Sequence, residues 1–308
     1  MRRPAFTLLR LLAGLVLTVL LTLAAAPARA QDDGPRVYQL APVGAQTITG
    51  FAVAKRGNEG PEPGDVHPGS EIDTDILVLR YARTLEAAGR PLTPFVILPV
   101  GEVRATGAPA SSGFGDAQIG GTLGLLGSPA LTPEAFAAYR PRFGLAVLGR
   151  IFLPTGAYSS AQPVNFGANR VSYQLGLPLS LANARPYRET GFTSLEVLPT
   201  LTFYEDNTEP FGADRNAKDP LFSVEAHLIR NLAPGIWASA DLLYRQGGEI
   251  QVDGVASGDH TRGWSAGASL AVPFTDRASA IFTYQQVVER DDDGPDGWFF
   301  RTALVVPF

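Results

Sequence analysis

The sequence predicts an all-β protein: a closed antiparallel transmembrane β-barrel of about 12 strands, preceded by a cleaved signal peptide. Three observations point there. The N-terminus is laid out as a secretory signal, the rest alternates apolar and polar residues between Gly/Pro/Asp/Asn clusters, and the chain closes on an apolar alternating stripe ending in Phe308.

The signal comes first in the chain. Arg2, Arg3 and Arg10 form a basic start, Leu11 to Ala26 is apolar, and Ala28-Arg29-Ala30 has the small-x-small form of a cleavage site. Cleavage after Ala30 leaves a mature chain beginning at Gln31. No later window approaches the ~18 uninterrupted apolar residues of a membrane helix. The organisation is then 1–30 signal peptide, 31–45 short periplasmic leader and 46–308 outer-membrane barrel. So short a leader is no plug domain, which speaks against an energy-coupled receptor.

Composition narrows the class. The formal charge is −5, and loss of the four arginines of residues 1–30 leaves 21 Lys+Arg against 30 Asp+Glu, or −9. That argues against nucleic acid as a partner. With no cysteine, a disulfide scaffold and thiolate metal sites are excluded. The 33 glycines and 25 prolines, with 18% charged residues, suit many short strands joined by turns.

Twelve strands follow the leader: Thr47–Lys55, Thr74–Thr84, Thr93–Arg104, Asp116–Leu126, Arg142–Leu153, Ala168–Leu181, Phe192–Glu205, Leu221–Arg230, Ile236–Gln246, Gly263–Val272, Arg277–Val288 and Trp298–Phe308. The sixth shows the faces best. Val171, Tyr173, Leu175, Leu177, Leu179 and Leu181 oppose Arg170, Ser172, Gln174, Gly176, Pro178 and Ser180. Alternation alone fits a soluble sandwich as well as a barrel with its apolar face in lipid. Loop lengths favour the barrel: short turns and long loops alternate, as on the two rims of an outer-membrane barrel. One exception, residues 127–141, holds a brief helix with Pro133 at its start. An even strand count puts both termini at the short-turn, periplasmic rim. Prolines 94, 99, 178 and 199 fall inside strands, where each removes a ladder hydrogen bond and marks a bulge, an end or a kink.

In the last strand Trp298, Phe300, Leu304, Val306 and Phe308 share one face with Thr302. An apolar stripe with aromatics at both ends fits a lipid-facing strand, since aromatic girdles flank the apolar band. The terminal Phe resembles the closing strand of bacterial outer-membrane barrels, where it is the assembly signal. The partners implied are outer-membrane lipid, the barrel-assembly machinery and a small-molecule solute. Closure has a physical reason: an open sheet edge in lipid would leave a row of backbone polar groups unmet.

By the same alternation, Arg80, Glu102, Arg104, Asp116, Arg150, Arg170, Glu196, Glu225, His227, Asp241, Arg245 and Arg301 are lumen-lining candidates. Both signs occur, which fits salt bridges partly filling a narrow lumen better than a ring of one sign. Glu225 and His227 share a strand face and read either as a solute or proton site or as part of a hydrogen-bond network. No catalytic residue, metal site or cofactor is assigned. The sequence has no HExxH, P-loop, GxSxG or dinucleotide fingerprint. Asp291 to Asp296 reads as a solvated turn.

Several runs resemble the MetA-pathway of phenol degradation family of bacterial outer-membrane barrels. They are GFGDAQIG from Gly113, LPTGAY from Leu153, NFGANR from Asn165, DPLFSVEAH from Asp219 and LAPGIWAS from Leu232, with Tyr244, Gly247 and Gly248. The resemblance implies a barrel fold, the outer membrane of a Gram-negative cell and a transporter role for small, aromatic or hydrophobic, solutes. Three functions stand: a passive channel, a barrel enzyme of lipase or protease type using His227 as base, and a structural or adhesive barrel acting through its loops.

Overall fold

The computed structural model describes residues 33–308 apart from 276; the signal peptide, with Ala28 and Ala30, lies outside the described residues. Twelve strand positions make the barrel. They are β1 Gln46–Gly57, β2 Ile72–Arg83, β3 Arg90–Ala105, β4 Gln118–Leu126, β5 Phe143–Phe152, β6 in two pieces (Ser172–Gly176 and Leu179–Ala182) and β7 Thr193–Tyr204. The rest are β8 Leu221–Ala233, β9 Ile236–Gly247, β10 Thr261–Thr275, β11 Ala278–Arg290 and β12 Gly297–Pro307. Each pairs antiparallel with the next. β12 closes on β1 from Thr47 opposite Pro307 to Gly57 opposite Gly297. The barrel therefore has no open edge.

The prolines act locally. Pro178 splits β6, yet its carbonyl still accepts from Ala146 N at 2.9 Å and Leu177 N donates to the Pro199 carbonyl at 3.1 Å. Pro99 marks where β3 changes partner: Leu92 to Ile97 pair with β4, whereas Val100 to Val103 pair with the short strand Ser111–Phe114. Helix α1, Pro133–Ala138, lies between β4 and β5, with Thr132 Oγ1 capping it through Ala135 N at 3.3 Å.

The faces separate as lipid and lumen require. Leu77, Leu79, Leu175 and Leu228 on the outside are at least half exposed, while Arg80, Ser172, His227 and Ile229 on the inside are buried. On β12 the side chains of Trp298, Phe300, Leu304, Val306 and Phe308 point out, and Phe299, Arg301 and Ala303 point in and are buried. The Tyr244–Trp264 pair, 4.8 Å apart, and the Tyr284–Trp298 pair, 6.3 Å apart, stand on the outer face toward the long-loop end. An apolar band with an aromatic girdle belongs in a bilayer.

The long loops close over that end instead of standing free. Val164 and Phe166 pack with Ile72 and Val103. Asn216–Lys218, Ile250–Val252 and Val255–Ala256 form a separate three-stranded sheet.

The first described residues of the leader lie inside the barrel. Tyr38 packs against Ala82, Phe95, Ile97, Leu148 and Leu198 of the inner wall. A loop-like segment can lie there because side chains of the wall meet its backbone polar groups.

Candidate functional site: the lumen

The leader is held by inward-facing residues of five strands. Glu225 on β8 accepts from Asp33 N at 3.1 Å and Gly34 N at 3.4 Å, and Glu196 on β7 accepts from Arg36 N at 2.8 Å. Arg150 on β5 pairs with the Asp33 carboxylate at 2.6 Å, and Arg301 on β12 donates to the Asp33 carbonyl at 3.4 Å. Tyr38 donates to Asp33 Oδ2 at 2.7 Å and bonds Arg150 as well. Arg36 lies 4.7 Å from the Trp237 ring and donates to Asn231 on β8. Gly34 has φ +94°, and a Cβ there would stand 2.1 Å from Arg301 Nη2. Arg36 is also left-handed, with φ 64°. A glycine and a pinned arginine are what this tight path requires.

Two cavities flank the leader. A chamber of about 360 Å³ lies toward the long loops, with Asp33 and Val37 in its wall. A smaller space of about 70 Å³ lies on the other side, lined by Gly34, Tyr38 and His227. Glu225 borders both.

The two sides of the lumen differ in chemistry. On β8 to β11, His227 Nδ1 is 2.8 Å from Asp241 Oδ1, and His227 Nε2 is 3.5 Å from Glu225 Oε2. Ser269 donates to Asp241 at 2.6 Å and lies 2.9 Å from the Thr283 hydroxyl. The imidazole thus stands between two carboxylates, and this serine reaches the acid, not the histidine. On β1 to β3 and β12 the chamber wall is mainly apolar: Phe51, Val53, Ile76, Val78, Ile97, Pro99 and Phe299, with Arg80 and Arg301.

Ion pairs fasten the loops above. Glu59 is fully buried between Lys55, at 3.1 Å, and Arg245, and it accepts from Gly64 N at 2.8 Å. Burial alone would raise the Glu59 carboxyl, but the two cations hold it far below the usual carboxylate range. Glu62 meets Lys218 at 3.0 Å and Arg170 at 3.6 Å. Arg170 also donates to Asn216 Oδ1 at 2.8 Å. Asp116 accepts from Gly156 N and Ala168 N, both at 2.8 Å. His67 is 3.2 Å from Asp65. The Asp65 charge raises His67, and His67 in turn lowers Asp65 against the upward push of burial.

Ten of the twelve lumen candidates thus have their side chains inside the barrel or under its loops. Glu102 and Arg104 do not. They are on the outer face near the long-loop rim, where Arg104 bonds Glu102 and pairs with Asp75 at 2.5 Å. Phe95, Ile97 and Val103 take the inward positions of β3, while Leu98 and Val100 face out. Both faces of this strand are apolar, so polarity does not tell them apart. A charge pointing outward at the rim meets headgroups and water, not hydrocarbon. Sequence reasoning also passed over Asp33, Arg36, Lys55, Glu59, Glu62 and Lys218. Lys55 shares its parity with Thr49 on β1 and was open to discovery; the other five lie outside the barrel strands, where alternation carries no information.

A closed twelve-strand barrel with a lipid-matched exterior and a partly filled polar lumen defines an outer-membrane β-barrel protein. Residues 53–298 match the family described as Putative MetA-pathway of phenol degradation, and the chain belongs to that family. Among solved structures it is similar to an outer membrane channel from Pseudomonas putida F1, at 19% identity and TM-score 0.73, covering 90% of this chain and 100% of that one. It is also similar to the β domain of the Bordetella autotransporter BrkA, at 11% identity and TM-score 0.48, covering 85% and 98%. No curated protein matches the chain.

Proposed function

We propose that this protein is a passive outer-membrane channel for small, partly apolar solutes, with the leader as the constriction of its lumen. The observation that carries the reading is the chamber of about 360 Å³ beneath the loops, separated from a second cavity of about 70 Å³ by the six residues from Asp33 to Tyr38. A barrel filled throughout by side chains has no such chamber, and an open porin has no such septum. The family description names phenol degradation, and the similar Pseudomonas protein is described as an outer membrane channel. Both support this reading. The hydrolase reading is weaker, because His227 is placed against Asp241 and Glu225 and the hydroxyl of Ser269 is directed to Asp241.

Planar-bilayer recording and liposome swelling test the proposal. The native protein is expected to pass a small ionic current. Deletion of residues 31–40 is expected to raise it several-fold while the barrel still resists denaturation in cold detergent. Absence of current and of solute uptake for both proteins would defeat the channel reading.

A further inference from the structure

We infer that the floor of the large chamber binds a small aromatic carboxylate, with Arg80 holding the anionic end and the β1–β3 wall holding the ring. This deepens the channel reading and rests on it for its purpose, but its physical basis is separate.

Most cations bordering the chamber already have an anionic or carbonyl partner. Lys55 and Arg245 share Glu59, Arg170 and Lys218 share Glu62, Arg150 has Asp33, and Arg301 is bound to the Asp33 carbonyl. Arg80 differs. Only 9% of it is exposed, its guanidinium lies 4.9 Å from the Phe95 ring centre, and no carboxylate among the described residues makes an ion pair with it; the Asp33 carboxylate, bound to Arg150, acts on it only from a distance. A ring face attracts a cation but accepts none of its N–H groups in the way an oxygen does. The five donors of a guanidinium form a fork matched to a carboxylate. One carboxylate, Asp33, thus serves two buried guanidinium groups and is in contact with Arg150 alone, so a ligand carboxylate in contact with Arg80 supplies the second anion.

Register fixes what surrounds it. Arg80 lies opposite Ile97, and Val78 lies opposite both Phe51 and Pro99. With Ile76 and Val53 these side chains form an apolar slope running from the loops down to the arginine. An aromatic ring suits that slope, while a carboxylate suits its end. A neutral hydrocarbon would desolvate Arg80 without pairing it, and an inorganic anion would gain nothing from the slope. The chamber volume falls within the ~300–1,000 Å³ of small-molecule sites.

Titration calorimetry on the full-length protein in detergent at pH 7.5, with benzoate, benzyl alcohol and inorganic phosphate as probes, tests this. Benzoate is expected to bind at least about tenfold more tightly than benzyl alcohol, and phosphate is expected not to displace it. Arg80→Met is expected to lose at least about tenfold of the benzoate affinity while Arg80→Lys retains part of it. Equal binding of benzoate and benzyl alcohol, displacement by phosphate, or unchanged affinity in Arg80→Met would overturn the assignment. The comparison of probes on the native protein needs no variant, so a misfolded Arg80→Met leaves the test intact. Binding is read without any current. Benzoate binding by a barrel that conducts nothing would refute the channel and keep the site; a conducting barrel indifferent to benzoate would do the reverse.

Discussion

Gly34 shows how narrow the leader's path is. Valine there would need a left-handed backbone and would collide with the Arg301 guanidinium 2.1 Å from its Cβ. Gly34→Val is therefore expected to dislodge the leader and raise single-channel conductance several-fold, with the barrel still folded; unchanged conductance would show that the leader is not the constriction. The His67–Asp65 pair makes the loop sensitive to pH. His67 is raised by its pairing with Asp65, so its contribution to loop stability is full below its ordinary value near 6.5 and is lost as pH rises through the raised value. Asp65 is lowered, so its contribution is present above the ordinary 3.8 and is lost only as pH falls through the depressed value. Loop 58–71 should be best protected from protease between those limits and open on the alkaline side. His67→Gln should flatten that alkaline dependence. At this scale sequence parity carried Arg80, Arg150, Glu225 and His227 to the lumen. It could not reach Glu59 or Glu62, whose positions depend on how a loop folds back.

At the scale of elements, the strands were legible because their faces meet opposite solvents. β6 is the clearest case: its alternation survives the break at Pro178, since Leu175 and Leu181 remain outside on either side of it. Leu175→Arg would put a charge into the lipid face and is expected to cost about 2–4 kcal/mol at mid-membrane depth, read from urea titration of folding into vesicles. Gln174→Arg, one residue away and facing the chamber, should cost much less. If the two cost the same, β6 is not a lipid-facing strand. Deleting Phe308, whose backbone exchanges hydrogen bonds with Gln46 at 3.0 and 3.2 Å, is expected to slow barrel assembly in cells. The leader was not legible. It has no alternation to reveal a face, and its place is set by Glu196, Glu225, Arg150 and Arg301, which are neighbours only once the barrel has closed.

For the whole molecule, closure turns alternation into two environments. The apolar residues of β12 and β1 would be an exposed sticky surface on a soluble protein, whereas in a bilayer they are matched to lipid and the opposite parity is left to enclose a chamber. The two charged residues placed wrongly from sequence, Glu102 and Arg104, stand at the rim, where neither environment applies. The absence of native cysteine makes the sidedness directly measurable. Single spin labels at Leu79→Cys, Leu175→Cys, Val78→Cys and Gln174→Cys, in protein reconstituted into vesicles, can be compared for collision with oxygen and with a water-soluble nickel complex. Labels at 79 and 175 are expected to favour oxygen, as lipid-facing sites do, and labels at 78 and 174 to favour nickel. The opposite pattern, or equal accessibility at all four, would contradict an apolar exterior around a polar lumen.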